Sequence, residues 1–253
     1  LTVVAYTDSE VARDYATRVL ETLAGEFVTD GVVSHTAPDA AADADAPEGL
    51  PEDHARVIAA FTTARQVTGP GAPAAAALAV ARAVADEAIE TLQEPGGAFR
   101  DGPASGVGLL AEPLRPLDGG IETADALLDL AALVDVGDPA ADHGTRYADA
   151  AHDAIAAFAG ATSRMGVQVA GYGSVASRLV RPDLVVAVGD DAGSDLHRAA
   201  LRVADHEAVV VPAAPAVPAG VASVRRGTTD RDATTPDEVL DAVASLTDRG
   251  TAE

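Results

Sequence analysis

Apolar residues recur at helical spacing through the first two thirds of the chain. In the segment Asp8–Ala24 they stand at positions 11, 15, 19, 20 and 23, which predicts one helix. The same spacing predicts further helices over residues 51–68, 74–92, 121–134, 145–161 and 167–179. Gly- and Pro-rich breaks separate these helices, and long helices divided in this way are typical of αα-hairpins.

The pattern changes near Arg181 and Pro182. Two short apolar runs, Leu184–Val188 and Ala208–Val211, flank a helical segment over Leu196–Ala204, which predicts a right-handed parallel βαβ unit. We predict a loop over residues 212–235 and a last helix that begins near Pro236. The predicted fold is therefore mainly α, with helical hairpins over residues 1–181 and a small βαβ appendage over residues 182–253.

The charge of the chain is strongly one-sided. The net charge is -23, from 40 Asp and Glu against 17 basic residues, and none of those basic residues is lysine. This composition is typical of proteins adapted to molar salt, where the Debye length of about 3 Å screens self-repulsion. It argues against nucleic acid as a partner, because binding phosphates requires a basic patch.

The absence of cysteine excludes disulfides, thiolate metal sites and thiol redox chemistry from these residues. None of the six histidines shows a metal-ligand spacing, so we expect neither a metal nor a cofactor. The sequence offers no apolar run long enough to span a membrane and no signal peptide, so we expect a cytoplasmic location. Leu1–Ala5 has the pattern of the end of an element, and we expect the chain to be part of a longer polypeptide.

Four short motifs occur in the order that one known family shows. They are Pro51–Ala55, Gly96–Asp101, Arg115–Gly120 and the strand and turn Val185–Asp190. Together they resemble segments of the thioredoxin-domain family called YyaL-like or spermatogenesis-associated. The resemblance covers most of the chain, although each motif by itself is short.

In that family a thioredoxin-like domain precedes an α/α toroid similar to those of N-acylglucosamine 2-epimerases and six-hairpin glycosidases. The resemblance implies that residues 1–181 form part of such a toroid, and that an N-terminal thioredoxin-like domain of the same polypeptide is its partner. Two positions depart from the family pattern at the toroid mouth. His54 stands where the family has tyrosine, and Glu122–Asp125 stand where it has Pro-Ser-Gly-Asn.

Acidic residues at the starts of predicted helices are the candidates for catalysis. Glu52, Asp53 and His54 stand at one such start, and Asp118, Glu122 and Asp125 stand at another. Glycoside hydrolysis requires two carboxylates across a pocket, and epimerisation requires a general acid and base. One hypothesis makes His54 the base and Glu52 or Glu122 the acid. The alternative is that these acids only stabilise helix N-termini.

Three further residues are candidates for substrate binding. Phe99 lies beside a turn and is the best candidate for an exposed ring on which a sugar could stack, and Asp101 and Arg115 flank the same region. Aromatic residues are only 3% of the chain, which argues against a carbohydrate enzyme. We therefore favour a non-catalytic scaffold, with a sugar-active or sugar-binding toroid and a carbohydrate ligand as the alternative.

The segment Gly189–Asp195 lies between a strand and a helix, where nucleotides bind in doubly wound folds. It lacks a complete phosphate-binding glycine pattern, and its aspartates would repel a phosphate. We therefore interpret Ser194 or Asp195 as a helix N-cap. His197 and His206, which flank the helix that follows, are predicted to lie at the surface or at an edge.

Overall fold

The structure is a computed structural model that describes residues 1–37, 49–71, 74–102, 112–137, 143–160, 163, 169–203 and 208–247. The helices are α1 (Thr2–Thr7), α2 (Glu10–Thr22), α3 (Pro51–Thr68), α4 (Ala74–Thr91), α5 (Leu117–Gly137), α6 (His143–Ala157), α7 (Ala170–Val180), α8 (Asp195–Val203) and α9 (Pro236–Thr247). The strands are β1 (Val28–Thr29), β2 (Val32–Val33), β3 (Leu184–Val188), β4 (Val209–Val211), β5 (Ala222–Arg226) and β6 (Thr229–Ala233). The predicted mainly helical fold is confirmed.

Local sequence signals account for the bounds of α3. Pro51 occupies the first turn, where its missing N–H costs nothing, and Glu52 and Asp53 complement the positive end of the helix. Gly69 ends the helix with a φ of 76°, a conformation that favours glycine. The predicted helix over residues 51–68 is thus confirmed. α5 extends further at both ends than the predicted 121–134, and the start of the predicted helix over 167–179 lies outside the described residues.

Helices α3, α5 and α7 form a first row of parallel helices. At the start of α5, the Thr123 hydroxyl lies 3.3 Å from the carbonyl oxygen of Pro51, at the start of α3. At the other end, Gln66 of α3 and Leu133 of α5 both contact β4. α7 runs in the same direction as α5. Gly171 near the start of α7 lies beside Ile121 near the start of α5, and further along both helices Arg178 pairs with Asp129.

Helices α4 and α6 form a second row, and these helices are also parallel to each other. Tyr147 of α6 donates a hydrogen bond to Asp86 of α4. Further along both helices, the Gln93 amide, just after α4, donates to the carbonyl oxygen of Ala150 in α6. The two rows pack directly on each other through the hairpins α3–α4 and α5–α6.

Small apolar side chains fill the space between the two rows. Ala81, Val84, Ala85 and Ala88 of α4 are completely buried and belong to one cluster with residues of α3, α5 and α6. Such side chains allow helices to approach closely, as the Ala- and Val-rich composition predicts. The described helices include none with the length and apolar content needed to cross a membrane.

The second half of the fold is a four-stranded sheet in the order β4-β3-β5-β6. β3 and β4 are parallel and are connected through α8, which confirms the predicted βαβ unit. The prediction of a loop over residues 212–235 is wrong in its second half, where β5 and β6 form an antiparallel hairpin. The sequence does not predict this hairpin because β6 lacks an alternating apolar pattern. It is an edge strand with three exposed polar residues in succession, Asp230–Asp232.

The sheet, α8 and α9 form what we call the C-terminal unit. α8 and α9 cover one face of the sheet, around Val186 and Val224. The other face, with Val185, Val209 and Val211, packs against the end of α5. The C-terminal unit also contacts the ends of α1 and α3, so it covers the C-terminal ends of these helices. Helix α7 ends at Val180 and β3 begins at Leu184, so the change from helices to sheet falls at residues 181–183.

Candidate functional site

The predicted site residues all lie near one end of the two helix rows, opposite the C-terminal unit. Glu52 and Asp53 are in the first turn of α3, and Asp118 is in the first turn of α5. The two helix starts are in contact, because a Cβ atom at Gly119 would lie 3.3 Å from Cγ of Glu52. Asp118 and Glu122 are exposed to solvent. The structure therefore brings the predicted acids together at one rim.

His54 does not face that rim. Its side chain is completely buried, and its Nδ1 donates a 2.8 Å hydrogen bond to the carbonyl oxygen of Leu50. Its Nε2 is buried and has no hydrogen-bond partner in the described part of the chain. Burial lowers the pKa of His54, although the hydrogen bond to Leu50, the carboxylates of Glu87 and Asp53, and the nearby backbone of Gly31 act in the opposite direction. A neutral, enclosed imidazole cannot reach a substrate in this arrangement.

Asp53, a candidate for catalysis, pairs with a histidine outside α3. Its Oδ2 lies 2.8 Å from Nδ1 of His35, in the segment after the short β1–β2 hairpin. The carboxylate is mostly covered, whereas the His35 ring is about half exposed. The pair connects this segment to the first turn of α3, which is a structural role.

A shallow groove runs between α3 and α5 next to the rim. Its volume is about 150 Å³, and its lining residues are Ala55, Arg56, Ala59, Glu122, Asp125, Ala126 and Asp129. Three of them, Glu122, Asp125 and Asp129, follow one face of α5, and we call them the acidic row. Within the described residues, no aromatic side chain is part of this lining.

Each member of the acidic row is neutralised by an arginine. Arg56 of α3 lies 3.4 Å from Glu122. Arg178 of α7 binds both other members, at 2.6 Å from Asp125 and 2.7 Å from Asp129, with only 6% of its side chain exposed. Burial acts to lower the pKa of Arg178, but the two carboxylates more than offset it and raise the pKa above its ordinary value. The pKa of Asp129 is raised because burial outweighs its attraction to Arg178.

The three predicted substrate-binding residues lie on the connection between α4 and α5. Arg115 makes a bidentate ion pair with Glu94, with N–O distances of 2.6 and 2.7 Å. The backbone amide of Asp101 donates to the carbonyl oxygen of Leu114. The prediction that Phe99 is exposed is wrong, because its ring is completely buried in the helical core. Phe99 forms an antiparallel bridge with Gln93, and this turns the ring inward.

In the part of the chain that the structure describes, the loop after β4 lies over the carboxyl end of β3. Asp190 accepts hydrogen bonds from the amides of Ala213 and Gly220, and this fastens the 212–220 loop over the strand end. A Cβ atom at Gly189 would collide with the backbone of Pro218, so the two segments are in direct contact. Ser194 is the N-cap of α8, since its Oγ accepts the amide of His197, as the sequence predicts.

The prediction that His197 lies at the surface is wrong, because the structure leaves only 1% of the residue exposed. Its Nε2 donates to the carbonyl oxygen of Gln66, and its Nδ1 accepts the amide of Gly193. Gln66 also accepts the Val210 amide through its Oε1. The sequence gives no signal for this junction, because Gln66 is one of several polar residues at the end of α3, with Arg65 and Thr68 beside it. His206 lies outside the described residues.

Comparisons with known proteins leave the function open. No family model matches the chain, and no curated protein matches it. Within the part of the chain that the structure describes, no group of three or more His, Cys, Asp or Glu side chains could hold a metal ion.

Proposed function

We propose that this chain is a non-catalytic scaffold, the toroid portion of a thioredoxin-domain protein that works at high salt. Two rows of parallel helices, joined as hairpins, support the toroid arrangement, because inner and outer layers of such a fold run in this way. The four family-like motifs support the assignment to this family. In this proposal the scaffold holds the N-terminal thioredoxin-like domain of the same polypeptide.

The observation that carries the proposal is an apolar face on α1 and α2. We call it the N-terminal apolar face, and it consists of Val3, Tyr6, Val11, Tyr15 and Val19, all of which are at least 41% exposed. α2 has no buried residue, although on its other side Leu20 contacts the helical core beside a cavity of about 280 Å³ between α2, α3 and α4. A helix with apolar residues on two sides is one that packs between two neighbours.

The geometry of the rim supports a scaffold over an enzyme. The groove between α3 and α5, at about 150 Å³, is smaller than the roughly 300–1,000 Å³ of ordinary ligand pockets. Its carboxylates are occupied by Arg56 and Arg178, and the proposed base His54 is enclosed. The observation that favours a sugar-active toroid is the acidic row itself, because three carboxylates on one helix face are the groups such chemistry uses.

Binding of the thioredoxin-like domain tests the scaffold. The domain encoded upstream in the same reading frame would be produced separately and titrated onto this chain by calorimetry in molar KCl. We expect the double substitution Val11→Ser with Tyr15→Ser to abolish binding. Leu240→Ser, which changes a half-exposed apolar residue on α9, should leave binding unchanged. A reading frame without such a domain, or equal binding by all variants, would refute the proposal.

A turnover assay distinguishes the alternative function. The chain would be incubated with a panel of mono- and oligosaccharides, next to Glu122→Gln and Glu52→Gln variants. The scaffold predicts no turnover by any of the three proteins. Turnover by the unsubstituted chain that is lost in Glu122→Gln would instead establish a sugar-active toroid.

A further inference from the structure

One buried histidine connects three separate segments of the fold. Nε2 of His197 donates to the carbonyl oxygen of Gln66 in α3 at 2.8 Å, and this anchors the start of α8. Nδ1 of the same ring accepts the backbone amide of Gly193 at 2.9 Å. Gln66 in turn accepts the Val210 amide of β4 through its side chain, at 2.9 Å. Both ring nitrogens are therefore used, and the neutral Nε2–H tautomer is the form that fits.

Proton uptake has a definite structural effect at this ring. A protonated imidazole carries hydrogen on both nitrogens, so Nδ1 would present an N–H to the N–H of Gly193. The hydrogen bond at 2.9 Å cannot survive this change. His54 differs, because its Nδ1 already donates to Leu50 and its Nε2 has no hydrogen-bond partner in the described chain. Protonation of His54 would break no hydrogen bond, which makes it a matched comparison.

We propose that His197 is an acid-sensitive latch, in which protonation of Nδ1 releases the Gly193 amide and loosens the segment 189–194 from the end of α3. This inference does not depend on the proposed scaffold function. The segment contains Asp190, which holds the 212–220 loop over the carboxyl end of β3. Gly193 lies three positions after Asp190, so the latch adjoins the contact that holds this loop.

The groups around His197 tune its response. Burial lowers its pKa, and the hydrogen bond to Gln66 and the carboxylate of Asp8 on α1 act against this. The guanidinium groups of Arg13 on α2 and Arg198 on α8 lower it further. The latch therefore stays closed at neutral pH and opens only in acid.

Nuclear magnetic resonance of the full chain tests the latch directly. Ring nitrogen shifts of His197 and amide exchange of Gly193 would be measured in molar KCl between about pH 8 and pH 5. We expect the Nε2–H tautomer at the upper end. As the pH falls and His197 protonates, the amide of Gly193 should exchange faster, by about tenfold for each pH unit after correction for the intrinsic exchange rate. The reason is that one proton is taken up on opening. Amides in the cores of α4 and α5 should keep their protection over the same range.

Two variants complete the test. His197→Gln should remove the pH dependence of Gly193 exchange, whereas His54→Gln should retain it. If Gly193 exchange does not follow the titration of His197 in the unsubstituted chain, or if it follows the core amides, the latch is refuted. The latch is also refuted if Gly193 exchange in His197→Gln still depends on pH. Should that variant fail to fold, the measurement on the unsubstituted chain decides alone.

Discussion

Arginine side chains connect helices that are far apart in the sequence. Arg178 links α7 to α5, Arg146 links α6 to α4, and Arg202 links α8 to the end of α1. A guanidinium group can bind two carboxylates at once, and Arg178 does so. A lysine ammonium lacks this planar fork. An arginine in place of a lysine can therefore join two carboxylates through one side chain. Ion pairs of this kind retain most strength where they are buried, because salt screens exposed charges.

Removal of Arg178 should therefore be costly even in high salt. Arg178→Gln leaves two partly exposed carboxylates, Asp125 and Asp129, without a cation, and we expect the free energy of unfolding to fall by about 1–3 kcal/mol. Arg56→Gln, which breaks an exposed ion pair 3.4 Å long, should cost only about 0–1 kcal/mol. Urea unfolding in molar KCl measures both values. Equal losses for the two variants would show that burial does not set the strength of these pairs.

At the scale of elements, a tight turn after α4 positions both helix rows. Gln93 donates to the carbonyl oxygens of Gly97 and Ala150, which connects this turn to α6. Gly97 has a φ of 90°, and a Cβ atom there would collide with the backbone of Asp153. Phe99 follows directly and fills the core. The turn thus fixes how far α4 and α6 approach each other.

Gly97→Ala should destabilise the protein by roughly 2–4 kcal/mol, because it adds both backbone strain and a collision with a neighbouring helix. The adjacent Gly96 offers a matched control, since no atom lies within 4 Å of its added Cβ position. Gly96→Ala should change stability by less than about 0.5 kcal/mol. Thermal unfolding followed by circular dichroism compares the two. A Gly97→Ala protein as stable as the unsubstituted chain would contradict the described turn.

The sequence predicts elements better than it predicts their contacts. α3 follows from Pro51 and Gly69, and the buried strand β3 follows from its apolar run, because both signals are local. The β5–β6 hairpin is missed because its polar residues face solvent at an edge. The burial of Phe99 is missed because it depends on a backbone bridge to Gln93, and the spacing of apolar residues does not predict such a bridge. The rim acids are predicted as a group because the starts of parallel helices meet.

At the scale of the whole molecule, two buried neutral histidines make stability depend on pH. Burial lowers the pKa of both His54 and His197 in the folded state below the ordinary value of 6.5. In the unfolded chain both take up a proton near that value, so acid favours unfolding. The stability contributed by the neutral rings is complete above pH 6.5 and is lost between 6.5 and the lower folded-state pKa values.

Acidification below about pH 6.5 should therefore lower the free energy of unfolding, by at most about 1.4 kcal/mol per pH unit for each buried histidine. His54→Gln should reduce this slope, because one of the two groups no longer titrates. His152→Gln should leave it unchanged, since His152 is 67% exposed. Urea titrations across this pH range in constant salt give the slopes. Identical slopes for the two variants would show that His54 does not titrate as its burial requires.

The position of the C-terminal unit has a consequence for synthesis on the ribosome. Asp8 at the end of α1 pairs with Arg202, 194 positions later, and Val209 and Val211 cover the end of α5. While the chain is being translated, the helices emerge first and their far ends stay bare until the last strands leave the exit tunnel. A nascent chain stalled before β3 would present apolar helix ends to chaperones and proteases.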